Sequence, residues 1–229
     1  MDILDKYQLK DWWLTTLTKE QREQIAKDYQ PLGVCNNVPF LYQDAGHTSP
    51  DEGFAKLSLI QVLSCIALTP AKTILIDKLE QEASYEYENS DKNFIDLHLT
   101  LGFLIKHHYR LRAEPYHYER AKELCLMQIN IAKQAAKKFR YPKKPKELKQ
   151  LYKITGKKHP YYDEPQILPS HTGYKQLIII LEKEGEIKGA LKLAKQALKQ
   201  GWTDDYEKRI DKLNRKIAKK LAVKAKLIR

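Results

Sequence analysis

The chain lacks the short motifs that mark most nucleotide-binding and catalytic sites. Its 229 residues contain no phosphate-binding loop of the form G-x-x-x-x-G-K-[ST], no dinucleotide-binding G-x-G-x-x-G and no H-E-x-x-H zinc motif. A Gly-x-Ser-x-Gly nucleophile turn is also missing, so the adjacent Ser170 and His171 do not indicate nucleophilic catalysis. The sequence therefore predicts a protein that is not an enzyme and that needs no cofactor or metal.

Cysteine is scarce, and so are long apolar stretches. The three cysteines, Cys35, Cys65 and Cys125, stand far apart, which argues against a disulfide framework or a zinc knuckle. We therefore expect buried, reduced thiols and a cytoplasmic location. The longest apolar stretches, such as 177–181, are far shorter than the roughly 20 residues that cross a bilayer. The N-terminus has no signal-peptide pattern, and no membrane partner is predicted.

Charge is unevenly distributed along the chain, whose net charge is +12. Residues 1–100 carry 9 basic and 16 acidic side chains, a net charge of −7, whereas residues 101–229 carry 32 and 13, a net charge of +19. Positive charge is densest at 133–158, with 11 basic residues and one acidic residue. Such asymmetry is typical of proteins with an acidic partner, of nucleic-acid binding, or of charge complementarity within a fold.

Apolar residues recur at helical spacing along most of the chain, and no alternating strand pattern competes with them. Thr18 and Gln21 form a capping-box pattern, and Ser49–Pro50 and Thr69–Pro70 are typical helix starts. Ser170 is predicted to cap a later helix, and one long helix is predicted to carry its apolar face from 121 to 136.

This pattern predicts an all-α protein with an N-terminal helical region at 1–92 and a second helical region at 93–229. An irregular basic connection with five prolines interrupts the second region at 140–169, and a short helix is possible inside it at 146–154. The last helix, from about residue 204, carries a narrow apolar stripe suited to packing on a preceding helix.

Residues 174–202 resemble a tetratricopeptide repeat. Large residues occupy the first helix, Gly185 marks the turn, and small residues occupy the second helix, so the two helices can approach closely; the large residues are Tyr174, Leu177 and Leu181, and the small ones Ala190, Ala194 and Ala197. Ile178 and Trp202 depart from the pattern, which has Gly and Pro there. A weaker second copy is carried by Leu101-Gly102 and Ile105 on one helix and by Ala121 and Cys125 on the next.

Most of the chain is similar to a group of uncharacterised bacterial proteins that carry such repeats. The similarity is carried by Asp11-Trp-Trp-Leu, Tyr29-Gln-Pro-Leu-Gly, Asp96-Leu-His, Lys106-His-His-Tyr-Arg, Leu168-Pro-Ser-His-Thr-Gly-Tyr-Lys-Gln-Leu, Gly201-Trp and Lys208-Arg-Ile. The resemblance implies tetratricopeptide-repeat-like hairpins with an N-terminal helical extension and a C-terminal capping helix. It implies no activity, because a fold alone does not define a function.

Two kinds of partner are compatible with these features. An interaction module would bind a protein or peptide, with acidic partners favoured, through polar and aromatic residues near the ends of the repeat helices: His171, Lys175, Trp202 and Arg209. A nucleic-acid-binding protein would use the basic segment with its interleaved tyrosine: Lys137, Lys138, Arg140, Tyr141, Lys143 and Lys144. The alternative is a solvated lysine surface that balances the acidic half of the chain.

Two further hypotheses concern the helix around residue 100. An enzyme would need Asp96, His98 and a third group to converge in one pocket. A metal site would need His98, His107 and His108 on one face, but residues nine and ten apart do not share a helix face. Histidines that are hydrogen-bonded within the helical packing are the simpler interpretation.

Overall fold

The structure, a computed structural model, describes residues 2–29, 40–42, 55–89, 92–140, 146–157 and 167–227. Within them the chain forms twelve α-helices and a 3₁₀ helix at Phe40–Tyr42, with no strand, which confirms the all-α prediction. The helices are α1 (Ile3–Lys6), α2 (Lys10–Thr16), α3 (Lys19–Asp28), α4 (Lys56–Ile66), α5 (Ala71–Glu88), α6 (Phe94–Arg110), α7 (Pro115–Asn130), α8 (Ala132–Phe139), α9 (Lys146–Thr155), α10 (Thr172–Lys183), α11 (Ile187–Gln200) and α12 (Tyr206–Leu227).

The chain divides into two units, Met1–Thr100 and Leu101–Arg229, so the division falls inside α6 and not at residue 92. The polar residues before α6 suggested an earlier boundary. However, the carboxylate of Asp96, in the first turn of α6, accepts a hydrogen bond from the Ser58 hydroxyl at the start of α4. The first turns of α6 therefore belong to the first unit.

Local capping fixes several helix starts in the first unit. Thr18 and Gln21 form the predicted capping box, with the Thr18 amide 2.9 Å from Gln21 Oε1. α5 departs from its prediction: it begins at Ala71 with Pro70 as the capping residue, and Thr69 makes no side-chain cap. The predicted Ser49–Pro50 start lies outside the described residues. α4 packs along α5, and both helices bury leucine and isoleucine side chains.

A buried glutamine stands where α6, α7 and α10 of the second unit come together. Gln128 on α7 accepts a hydrogen bond from the amide of Gly173 on α10. A methyl group at Gly102 on α6 would lie 3.1 Å from Gln128 Nε2, and one at Gly173 would lie 2.8 Å from Gln128 Oε1. The two glycines thus allow helices α6 and α10 to approach the same side chain of α7.

The predicted long helix through 121–136 is divided in the structure. α7 ends at Asn130, Ile131 is buried at the junction, and α8 begins at Ala132. In α8 the alanines Ala132, Ala135 and Ala136 are buried, while Lys133, Lys137 and Lys138 are exposed. The apolar face was therefore predicted correctly, and the break at Ile131 was not.

α10 and α11 form a helical hairpin, with a glycine at the turn and another at the end of α11. Gly185 turns the chain with a φ of +85°, and Gly201 ends α11 with a φ of +82°, both in the left-handed region that favours glycine. Ala190, Ala194 and Ala197 on α11 are fully buried. At the open end of the hairpin, Leu168 pairs with Trp202 in an isolated parallel bridge, and the Thr203 amide donates to the Pro169 carbonyl at 3.4 Å. α12 then packs along α11.

Only part of the predicted irregular connection can be described, because 141–145 and 158–166 lie outside the described residues. Between them, α9 confirms the short helix that was predicted there, and its side chains from 149 to 157 are exposed.

The two described cysteines have different surroundings. Cys125 on α7 is buried, as predicted, and burial raises the pKa of its thiol to about 12. Cys65 on α4 is free but exposed, because it lies on the side of α4 that faces away from the buried leucines, so its predicted burial is wrong. Cys35 lies outside the described residues.

Candidate functional site

Two of the predicted partner-binding residues, His171 and Trp202, are buried in the second unit. His171 Nδ1 accepts a hydrogen bond from the Tyr174 amide at 3.2 Å, so His171 and not Ser170 is the N-cap of α10. The His171 ring lies 4.7 Å from the Trp202 ring and 4.5 Å from the Tyr174 ring, centroid to centroid. These side chains connect the start of α10 with the residue that follows α11. Because they are buried, they do not offer a surface to a partner.

The other two predicted residues, Lys175 and Arg209, form ion pairs within the second unit. Lys175 Nζ lies 3.2 Å from Asp204 Oδ2. Arg209, together with Lys212 and Lys216, surrounds the carboxylate of Glu182 on α10. The hydrogen bond from Lys216, with support from Lys212, lowers the pKa of Glu182. This cluster ties α12 to α10, and its single carboxylate offsets part of the positive charge at the start of α12.

The residues proposed for nucleic-acid binding are only partly placed by the structure. Lys137 and Lys138 are exposed on α8. Arg140 donates a hydrogen bond to the Gln200 carbonyl at 2.8 Å, which brings the end of α8 to the end of α11. Tyr141, Lys143 and Lys144 lie outside the described residues. The arrangement of basic residues around a tyrosine therefore stays a prediction.

Four exposed lysines on α11 form a second basic feature, which sequence reasoning did not single out. Lys188, Lys192, Lys195 and Lys199 are spaced by four, three and four residues, so they share one side of the helix. We call this side the α11 lysine face. The regular spacing of these lysines could have indicated the face. The sequence analysis considered instead the small alanines on the opposite side of the same helix.

A cavity of about 150 Å³ in the first unit contains Asp96, the acid of the enzyme hypothesis. Burial raises the pKa of Asp96. Besides the Ser58 hydroxyl, the backbone amides of Leu57 and Ser58 donate to this carboxylate, and α4 has no side-chain cap of its own. Asp96 therefore caps α4 from another helix, which accounts for its position without catalysis.

Glu82 and Lys56, which also line the cavity, form an ion pair, and His98 lies nearby in sequence but does not line it. Glu82 bridges two lysines, with 2.6 Å to Lys56 Nζ and 2.8 Å to Lys78 Nζ. His98 is buried two residues beyond Asp96, and burial lowers the pKa of its imidazole to about 4. A carboxylate that activated His98 as a base would raise this pKa instead. Among the described residues, Asp96 lines the cavity and His98 does not, so the two side chains do not converge in this pocket.

Histidines meet at the turn between α6 and α7. His108 Nδ1 lies 2.8 Å from His117 Nδ1, and the ring centroids of His107 and His108 are 5.3 Å apart. Sequence reasoning missed His117; the signal was Pro115, which starts α7 and turns position 117 back towards α6. One ring must donate to the other, so the pair closes the turn. Within the described ranges, no group of three or more His, Cys, Asp or Glu side chains is placed to hold a metal ion.

The fold and these sites define an all-α protein whose second unit is strongly basic. No described helix has the length and apolar character needed to cross a membrane. Comparison with protein-family models, with curated proteins and with solved structures gives no match.

Proposed function

We propose that the protein is a non-enzymatic interaction module of helical-repeat type that binds a protein or peptide partner, with acidic partners favoured. The observation that carries this proposal is the sequential packing of the second unit. α7 packs on α10, α10 on α11, and α11 on α12, although α8 and α9 come between α7 and α10 in the chain. This succession of packed helices supports a repeat-type array. Arrays of this kind present extended surfaces, which suits them to binding other chains.

The charge of the second unit supports an acidic partner. Residues 101–229 carry a net charge of +19, and the lysines of α8 and α11 have no acidic partner within the described part of the chain. Lysines without an acidic partner attract a negatively charged surface and accelerate association with it.

The test is direct binding of the full-length chain to a peptide array that samples acidic and neutral sequences. We expect binding to acidic peptides that weakens as salt rises, because exposed charge pairs are screened. A chain that binds no peptide on such an array, and that retains no protein when used as bait in extracts of its native host, would contradict the proposal.

The alternative, nucleic-acid binding, is favoured by one observation. α8 presents Lys133, Lys137 and Lys138 to solvent at the start of the most basic segment of the chain. Under this alternative, duplex or single-stranded probes are retarded at low salt, and the logarithm of the binding constant falls linearly with the logarithm of salt concentration. The absence of any retardation at low ionic strength would remove this alternative.

A further inference from the structure

The α11 lysine face is regular in a way that the fold does not require. Its four lysines fall within a sector of about 60° on an ideal helix and extend over about 16 Å. The opposite side of α11 carries Ala190, Ala194 and Ala197, which are fully buried and hold the helix in place. Packing therefore fixes the orientation of α11 without any contribution from the lysines.

No acidic side chain in the described part of the chain forms an ion pair with Lys188, Lys192, Lys195 or Lys199, in contrast to three cations of α12. There, Glu182 lies 3.1 Å from Lys212 and also contacts Lys216 and Arg209. Like charges three and four residues apart on a helix repel each other. The lysine face thus carries an unfavourable interaction that a bound anionic surface would reverse.

Leucines border the lysine face on one side. Leu191 and Leu198 are seven residues apart, which is two helical turns; Leu191 is half-buried and Leu198 is 40% exposed. A row of charge beside a pair of apolar residues two turns apart is the pattern that an amphipathic helix recognises. α11 contains no aromatic residue, so this face offers no platform for stacking bases.

We propose that the α11 lysine face is the docking surface for an amphipathic helix of the partner, with carboxylates spaced by four, three and four residues beside apolar residues seven apart. The proposal rests on the function proposed above and names the surface and the chemistry of the partner. The matching spacing allows each carboxylate of the bound helix to meet one lysine, while its apolar residues cover Leu191 and Leu198.

The probe is a synthetic helical peptide with glutamates at this spacing and two leucines seven apart. A control peptide has the same composition, with the glutamates distributed around the helix. Binding to the full-length chain is followed by fluorescence anisotropy at low salt. We expect the matched peptide to bind about tenfold more tightly than the control, because exposed charge pairs contribute little individually but add up over four pairs.

Two variants with equal changes of charge locate the site. K188Q/K192Q/K195Q/K199Q removes the lysine face and is expected to weaken binding of the matched peptide by about tenfold or more. K133Q/K137Q/K138Q/K208Q removes four exposed lysines elsewhere in the second unit and is expected to change binding by less than about twofold. Circular dichroism establishes that both variants remain helical.

Three outcomes would overturn the proposal. Equal losses in the two variants, or equal affinity for the two peptides, would mean general attraction between opposite charges. A single-stranded oligonucleotide that binds more tightly than the matched peptide and displaces it would assign the face to nucleic acid. If the full chain binds acidic peptides on the array and the K188Q/K192Q/K195Q/K199Q variant binds them equally well, this inference fails while the proposed function stands.

Discussion

Two glycines of the α10–α11 hairpin differ in the space that they leave for a methyl group. A Cβ at Gly173 would lie 2.8 Å from Gln128 Oε1 and 3.0 Å from the Cys125 carbonyl oxygen, whereas one at Gly189 would make an ordinary contact of 3.5 Å with Leu181. We expect G173A to lower the free energy of unfolding by about 1–3 kcal/mol through overpacking. G189A should raise it by about 0.5–1 kcal/mol, because alanine is the better helix former.

Chemical denaturation of both variants measures these changes, and G189A serves as the matched control. Equal effects in the two variants would mean that α10 does not approach α7 as closely as the contact between Gly173 and Gln128 requires.

A second prediction at this scale concerns His98, whose pKa burial lowers to about 4. In the unfolded chain its pKa is about 6.5. Between these values the unfolded state binds a proton that the folded state does not, so stability is complete above pH 6.5 and falls as the pH decreases towards 4. The expected loss is about 3 kcal/mol.

This loss is measured as the difference in unfolding free energy between the natural chain and H98N at pH 7, 5.5 and 4.5. The difference cancels the contribution of Asp96, whose raised pKa acts in the opposite direction. A difference that does not change with pH would show that His98 is protonated equally easily in both states.

Among the helices, α11 offers the clearest prediction. Its lysines form three neighbouring pairs of like charge, each unfavourable by about 0.2–0.5 kcal/mol. Because glutamine and lysine have similar helix propensities, the K188Q/K192Q/K195Q/K199Q variant should be more stable by about 1 kcal/mol in thermal or chemical unfolding. K212Q/K216Q on α12 is the contrasting variant: it removes two cations from Glu182 and should lower stability. An α11 variant that loses stability would mean that these lysines have a structural role.

Helix ends that depend on neighbouring residues could be predicted from the sequence. Thr18 with Gln21 and the turn glycine Gly185 act within one turn of the chain, and the structure places them as expected. Among the large and small residues predicted for 174–202, Leu181 is only partly buried, and the others are buried: Tyr174, Leu177, Ala190, Ala194 and Ala197.

Features that depend on distant residues could not be predicted. Asp96 caps α4 from 38 positions away, and Gln128 binds the Gly173 amide from 45 positions away. His171 replaced Ser170 as a cap because its ring also packs on Trp202. In each case a contact between helices decided the role of a residue that local propensity left open. The ion pairs of Glu182 with Arg209, Lys212 and Lys216 also join distant positions of the chain. For the same reason, the sequence did not show which lysines have an acidic partner.

At the scale of the whole molecule, the two units differ in sign of charge. The first unit, Met1–Thr100, has a net charge of −7, and the second, Leu101–Arg229, has +19. A large net charge of one sign destabilises a folded unit through self-repulsion. Ion pairs such as those of Glu182 and of Lys122 with Glu184, at 2.9 Å, offset only part of this in the second unit.

Salt should therefore stabilise the second unit. The screening length falls from about 20 Å at low ionic strength to about 8 Å at physiological ionic strength, so distant repulsion is weakened more than short ion pairs are. We expect the Tm of the full chain's basic unit to rise between about 20 and about 200 mM NaCl, with a smaller rise in K188Q/K192Q/K195Q/K199Q because part of the repulsion is already removed. Calorimetry of both chains over this series measures the effect. A Tm that falls with salt would mean that the ion pairs around Glu182 and Glu184 outweigh the repulsion between the excess positive charges. An anionic partner bound to the lysine face would then relieve no net repulsion.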